Sequence, residues 1–153
     1  SAAPGSCLTI ANRHVERAQA LVRWLKRARP RCCVQAVSLP QVSLEDVDVL
    51  VNATTVGMRP ADGVPIDPSA LRRGVLVYDL VYHRETPLVR VARRRGCVAA
   101  NGLSMLLYQG VESLRLWLRR EPPIGGMRRA LVGALSAGTQ PQRRRSLAAW
   151  SGS

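Results

Sequence analysis

The chain has 153 residues, 46% of them hydrophobic, which suits one domain with a buried core. No run of about 18 apolar residues could cross a membrane and no basic-then-apolar leader opens the chain, so a soluble, cytoplasmic protein is expected. A formal net charge of +13 makes nucleic acid the runner-up partner, but Lys26 is the only lysine among 23 basic residues and Phe is absent, leaving no aromatic platform of the kind single-strand binders use.

In chain order, residues 7–10 read as a short apolar strand that ends at Ala11, Asn12 and Arg13. Residues 15–28 follow a helical period, with Ala18, Leu21, Val22 and Leu25 on one face and arginines opposite, until Pro30 stops it. Residues 34–37 form a second strand candidate, and Ser43 opens a short helical turn through Asp46. The apolar run 47–51 predicts a strand buried on both faces of a parallel sheet, and the Gly-, Pro-, Thr- and Asp-rich stretch 52–68 a long loop. Residues 76–81 are a further strand; residues 86–95 a helix with Pro87 in its first turn and Gly96 at its end; residues 97–100 a last strand.

The longest helical run covers residues 101–118, where Leu103, Leu107, Val111, Leu114 and Leu118 share one stripe with Leu106 and Trp117 at its edge. Gly102 opens it, so free backbone N–H groups, the positive end of the helix dipole, Met105 and Gln109 gather near one spot. Pro122 and Pro123 break the helix, residues 127–135 resume it, and from Ser136 the Ser-, Gly-, Gln-, Pro- and Arg-rich composition predicts a disordered tail. Cys7, Cys32, Cys33 and Cys97 lack C-x-x-C spacing, and the adjacent pair suits neither a metal site nor a structural disulfide, so four reduced thiols and no metal are expected. Alternating strands and helices give a parallel α/β sheet, which binds ligands at the carboxyl ends of its strands. The polar segments 12–17, 52–57, 79–82 and 101–109 fall at those ends.

Four of these segments, in order, resemble shikimate dehydrogenases. Asn12-Arg13-His14-Val15-Glu16-Arg17-Ala18 is similar to that family's N-R-T-x-x-R-A segment, with His14 in place of the usual Thr. Val51-Asn52-Ala53-Thr54-Thr55-Val56-Gly57-Met58 resembles its V-N-A-T-x-x-G-M loop. Tyr78-Asp79-Leu80-Val81-Tyr82 and Thr86-Pro87-Leu88 are similar to its Y-D-x-x-Y and T-P-L pair, and Gly102, Met105, Leu106 and Gln109 to its G-x-x-M-L-x-x-Q helix.

The resemblance implies an incomplete Rossmann-like parallel sheet with C-terminal helices: a partial NADP-binding domain over residues 1–103, helices over 104–135 that in the family pack back on a substrate domain, and a basic tail over 136–153. It implies cofactor contacts from Asn12, Arg13, His14 and Arg17, from Asn52, Ala53, Thr54 and Leu80 beside the nicotinamide half, and from Gly102 and Met105. Tyr82 and Gln109 would touch the substrate, shikimate or 3-dehydroshikimate. The implied reaction is the reversible, NADPH-dependent reduction of 3-dehydroshikimate in aromatic amino acid biosynthesis. A quinate dehydrogenase paralogue is the alternative within the family, and a non-catalytic basic fragment the alternative outside it.

The chemistry of the first segment favours NADP over NAD. An acidic residue at that strand end would accept from a ribose 2′-OH and repel a 2′-phosphate, whereas two guanidinium forks one helical turn apart can bracket the phosphate. Against the family pattern, the chain lacks the substrate domain with its Lys and Asp pair and the G-x-G-G-A loop that cradles a pyrophosphate. No catalytic residue is therefore assigned. Exposed sheet edges, marginal stability or need of a partner, either a missing N-terminal domain or a homodimer, weak NADP binding and no turnover by this chain alone are expected.

Overall fold

Strands and helices alternate through residues 6–138, the residues that the computed structural model describes. They run β1 (Cys7–Asn12), α1 (Val15–Ala28), β2 (Cys33–Ser38), β3 (Val49–Asn52), β4 (Leu76–Asp79), α2 (Pro87–Arg94), β5 (Val98–Asn101), α3 (Leu103–Leu118) and α4 (Ile124–Gly138). Short 3-10 turns occupy Leu39–Gln41 and Pro68–Ala70, the first of them upstream of the helical turn expected at Ser43. Tail residues 139–153 lie outside the described residues, and the expected tail boundary at Ser136 falls inside α4.

Every strand pair is parallel, as the alternation requires, but the strands form two sheets. β1 pairs β2 from Cys7↔Cys33 to Asn12↔Ser38, while β3, β4 and β5 pair in that order. The second register lines up Asn52, Asp79 and Asn101 in one polar row at the carboxyl ends. Among the described residues no ladder joins β1 to β3.

One face of β3-β4-β5 packs on α2. Val77, Leu88, Ala92 and Cys97 are buried there with Leu44, Leu71 and Val75, and Leu50 and Ala99 lie against them. The opposite face is open: Val49, Leu76 and Val98, aligned across the three strands, are 55%, 43% and 67% exposed. This corrects the expectation that the 47–51 run is covered on both faces. Its apolar residues could be buried on two sides, and cover is present on one. α1 forms a smaller core of its own with β2 through Ala18, Val22 and Val34.

α3 buries Leu107 and Val111 as its stripe predicts, but Trp117 and Leu118 at its last turn are exposed. α4 folds back alongside the first part of α3, where Met127 Cε comes near Gly110, and leaves that last turn uncovered. α3 ends on Arg119 in the left-handed region (φ 49°), its amide returning to Arg115 O at 3.0 Å, while Arg115 pairs with Glu112 and Glu121. A side chain is disfavoured at that φ, so Arg119→Gly is expected to raise stability by about 0.5–1 kcal/mol net of glycine's greater unfolded-state entropy. A urea midpoint that falls on this substitution contradicts the assignment of strain.

The cysteine expectation is also corrected. Cys7 and Cys33 form a disulfide, with Cα atoms 4.7 Å apart, and only Cys32 and Cys97 are free. The two bonded residues are partners in the β1–β2 register, so their separation of 26 in sequence disappears across one ladder rung.

Candidate functional site

The polar row at the carboxyl ends of β3, β4 and β5 is the start of the site. Asn52 and Asp79 are buried, as is Thr86, the residue that caps α2 by accepting the Val89 amide at 3.3 Å. Asp79 takes three hydrogen bonds: Asn52 Nδ2 donates at 3.0 Å, the Val81 amide at 3.1 Å and Thr86 Oγ1 at 2.6 Å. Asn52 also donates to Val56 O at 3.1 Å and accepts from the amide and hydroxyl of Thr54 at 3.0 and 2.7 Å. The loop after β3 is thereby wound around one amide side chain.

Beyond it, Gly57 adopts φ 103° and faces Thr86, where an added Cβ would lie 3.2 Å from Thr86 Cγ2. Asp62 accepts the Gly57 and Arg59 amides at 3.0 and 2.9 Å, and those bonds, the one from Arg59 foremost, hold its carboxyl below the usual carboxylate range. His83 Nε2 meets Met58 O at 3.0 Å, tying this turn to the segment after β4.

That segment, residues 80–84, lies between two further anchors. The Leu80 amide donates to Asn52 O at 3.0 Å, and Asn101 Nδ2 donates to Arg84 O at 3.3 Å. Gly102, the N-cap of α3, donates its amide to Val81 O at 3.2 Å, and a Cβ built on it would stand 2.3 Å from Leu80 O. The glycine is thus required by the crossing of two backbones, and its amide is used within the protein. Asn101 Oδ1 takes the Leu103 amide at 3.3 Å; among the described residues the Ser104 and Met105 amides have no partner, so these are the free N–H groups at the positive end of α3.

The structure therefore gathers Asn52, Ala53, Thr54, Leu80, Tyr82 and Gly102 at one sheet edge. Ala53, Thr54 and Tyr82 are exposed, Leu80 half-buried; on the first two turns of α3, Met105 is half-buried and Gln109 exposed. Asn12, Arg13, His14 and Arg17 stand apart from these, at the end of β1 and the start of α1. There Asn12 Oδ1 accepts the His14 amide at 2.9 Å and the His14 ring lies 3.7 Å from Glu16, while the exposed guanidinium groups of Arg13 and Arg17 have no side-chain partner among the described residues.

A cavity of about 240 Å³ between β5, α3 and α4 is lined by Asn101, Leu103, Ser104, Leu107 and Arg128 among others, and by none of the predicted site residues. No cluster of metal-ligating side chains occurs among the described residues. What the sequence reading left without a role is the pair Asp79 and Thr86. The Thr86-Pro87 step was a readable helix start, but nothing local says that its hydroxyl also serves a carboxylate at the end of β4.

Comparison with known proteins shows which family the chain resembles. The family model described as Shikimate 5'-dehydrogenase C-terminal domain matches residues 102–132. The shikimate dehydrogenase (NADP(+)) of Rubrobacter xylanophilus is 47% identical over 128 residues, covering 82% of this chain and 45% of that protein. Among solved structures, quinate dehydrogenase from Corynebacterium glutamicum in complex with NAD superposes with a TM-score of 0.77 at 33% identity, over 83% of this chain and 46% of that one. A shikimate dehydrogenase in complex with NADP+ gives 0.76 at 33%, over 84% and 47%. The chain spans about half the length of the curated relatives it matches.

Proposed function

The chain belongs to the shikimate dehydrogenase family, as a portion of its C-terminal part, and we propose that it forms the NADP-binding half of an enzyme interconverting 3-dehydroshikimate and shikimate. The observation that carries the cofactor choice is the pair of exposed Arg13 and Arg17 guanidinium groups, without a side-chain partner among the described residues, next to an Asn12 where an NAD enzyme would offer an acid. Both forks are available for a 2′-phosphate.

Bound NADPH supplies the hydride; the protein's residues bind and orient. Asn52, Ala53, Thr54 and Leu80 form a preorganised floor for the nicotinamide half, with Met105 and the free amides of α3 beside it. The Tyr82 hydroxyl and the Gln109 amide offer polar contacts to a hydroxylated ring carboxylate. Residues 1–103 act as the cofactor part, and 104–135 pack toward a substrate domain. Since the chain spans about half of its relatives, an N-terminal part of the family pattern would bring the proton-transfer groups and a pyrophosphate loop and would cover the open face of Val49, Leu76 and Val98, whereas a second copy could only cover that face. The reading goes with a small-molecule substrate and a cytoplasmic location. The structural likeness to an NAD-bound quinate dehydrogenase keeps quinate as the alternative substrate, and the Arg13 and Arg17 pair favours the phosphorylated cofactor.

Titration of the purified chain with NADP and NAD at low and moderate salt, followed by calorimetry and thermal shift, tests this. NADP is expected to bind saturably and at least 10-fold more tightly than NAD. Arg13→Ala or Arg17→Ala should each cost NADP about 10-fold, the worth of one charged hydrogen bond, and leave NAD unchanged. Equal responses to both dinucleotides overturn the reading. A response that any polyanion reproduces and that salt abolishes points instead to a basic interaction module.

A further inference from the structure

We propose that Asp79 is the positioning residue of the nicotinamide and substrate end of the site, a role that rests on the function proposed above. Its side chain is fully buried and has no cationic partner among the described residues. A buried carboxylate without a cation is costly, and an apolar residue of similar size at that place would spare the cost. What the carboxylate gains is three donors from three separate segments: Asn52 at the end of β3, Val81 after β4 and Thr86 at the start of α2.

Each donor controls a different part of the site. Through Asn52, Asp79 fixes the loop that presents Ala53 and Thr54. Through the Val81 amide it sets the path of residues 80–82, which carry Leu80 and Tyr82 and on which Gly102 and the start of α3 rest. Through Thr86 it fixes where that segment rejoins a helix. The Arg13 and Arg17 end receives no bond from this network. One acceptor therefore governs the nicotinamide end and leaves the adenosine end alone.

The test compares NADP with adenosine 2′,5′-bisphosphate, which carries the 2′-phosphate without nicotinamide, on the full chain and on Asp79→Asn. The amide has the carboxylate's shape and can keep the Asn52 and Val81 bonds on its oxygen, but it turns an N–H toward Thr86. Binding is measured by calorimetry well below the melting temperature. The expected result is a 10-fold or greater loss of NADP affinity in Asp79→Asn, down to that of the bisphosphate, with bisphosphate affinity unchanged. Thr86→Ser, which keeps the hydroxyl donor, should retain wild-type NADP affinity. Should Asp79→Asn not fold, Thr86→Val removes one donor and is read by the same comparison. Unchanged NADP affinity, or equal losses for both ligands, overturns the positioning role. A wild-type chain that binds the bisphosphate as tightly as NADP also overturns it, while one that binds neither ligand overturns the parent reading and the role with it.

Discussion

Gly102→Ala is expected to abolish saturable NADP binding and to destabilise the chain by roughly 3 kcal/mol or more, at the upper end of what overpacking costs. The backbone of Gly102 (φ −73°, ψ 7°) suits any residue, so the requirement is one of space alone. An added Cβ meets Leu80 O at 2.3 Å, Leu80 C at 2.8 Å and Leu80 Cα at 3.1 Å, all main-chain atoms with no rotamer to change. Leu80 cannot retreat without loss: its amide is bonded to Asn52 O, the next amide to Asp79 and the next carbonyl to Gly102. Relief therefore means separating α3 from the end of β4, which breaks up the place where Leu80, Tyr82 and Gly102 are gathered. Gly110→Ala is the control, since its Cβ would meet only the flexible Met127 Cε at 3.4 Å. A Gly102→Ala chain with the wild-type urea midpoint and wild-type NADP affinity refutes the backbone crossing.

Gly102 also shows where sequence reading stops. Its place at the start of a helix was legible from the periodicity after it, but the reason for the glycine lies in residue 80, across a contact that no local pattern encodes. α1 was legible to the residue, because its apolar stripe and Pro30 are local signals. The parallel arrangement followed from alternation. The separation into two sheets did not, because a strand's composition does not name its neighbour. Val49 and Val51 make the same point: their apolar character states what β3 could bury, and only the tertiary structure shows that they are 55% and 52% exposed. Within the site, the motif residues that end up exposed on a sheet edge were identified by resemblance. Asp79 and Thr86 were quoted within those motifs and passed over, since a buried carboxylate reveals its role only when its donors are located in space.

Breaking the Cys7–Cys33 bond should lower stability by about 3.5 kcal/mol, the chain-entropy value for a loop of this size. The bond closes a loop spanning 26 positions that holds β1 and α1 and ends on the first residue of β2, and the unit of these three elements has few buried apolar residues. A two-stranded sheet on so small a core is marginal by itself, so the covalent link at the first rung does much to hold the register that ends in Asn12↔Ser38. Because Arg13 follows Asn12 directly, loosening that register should also weaken NADP binding at the Arg13 and Arg17 end. Two observations check this together. Under denaturant without reductant, two thiols should titrate, those of Cys32 and Cys97, rising to four after dithiothreitol. Dithiothreitol should lower the urea midpoint of the wild type, and leave unmoved the already lower midpoint of a Cys7→Ser, Cys33→Ser chain. Four thiols without reductant, or equal midpoints for the oxidised wild type and the double variant, would show that the β1–β2 ladder and α1 hold this unit without a covalent link. The two arginines would then owe their placement to packing alone.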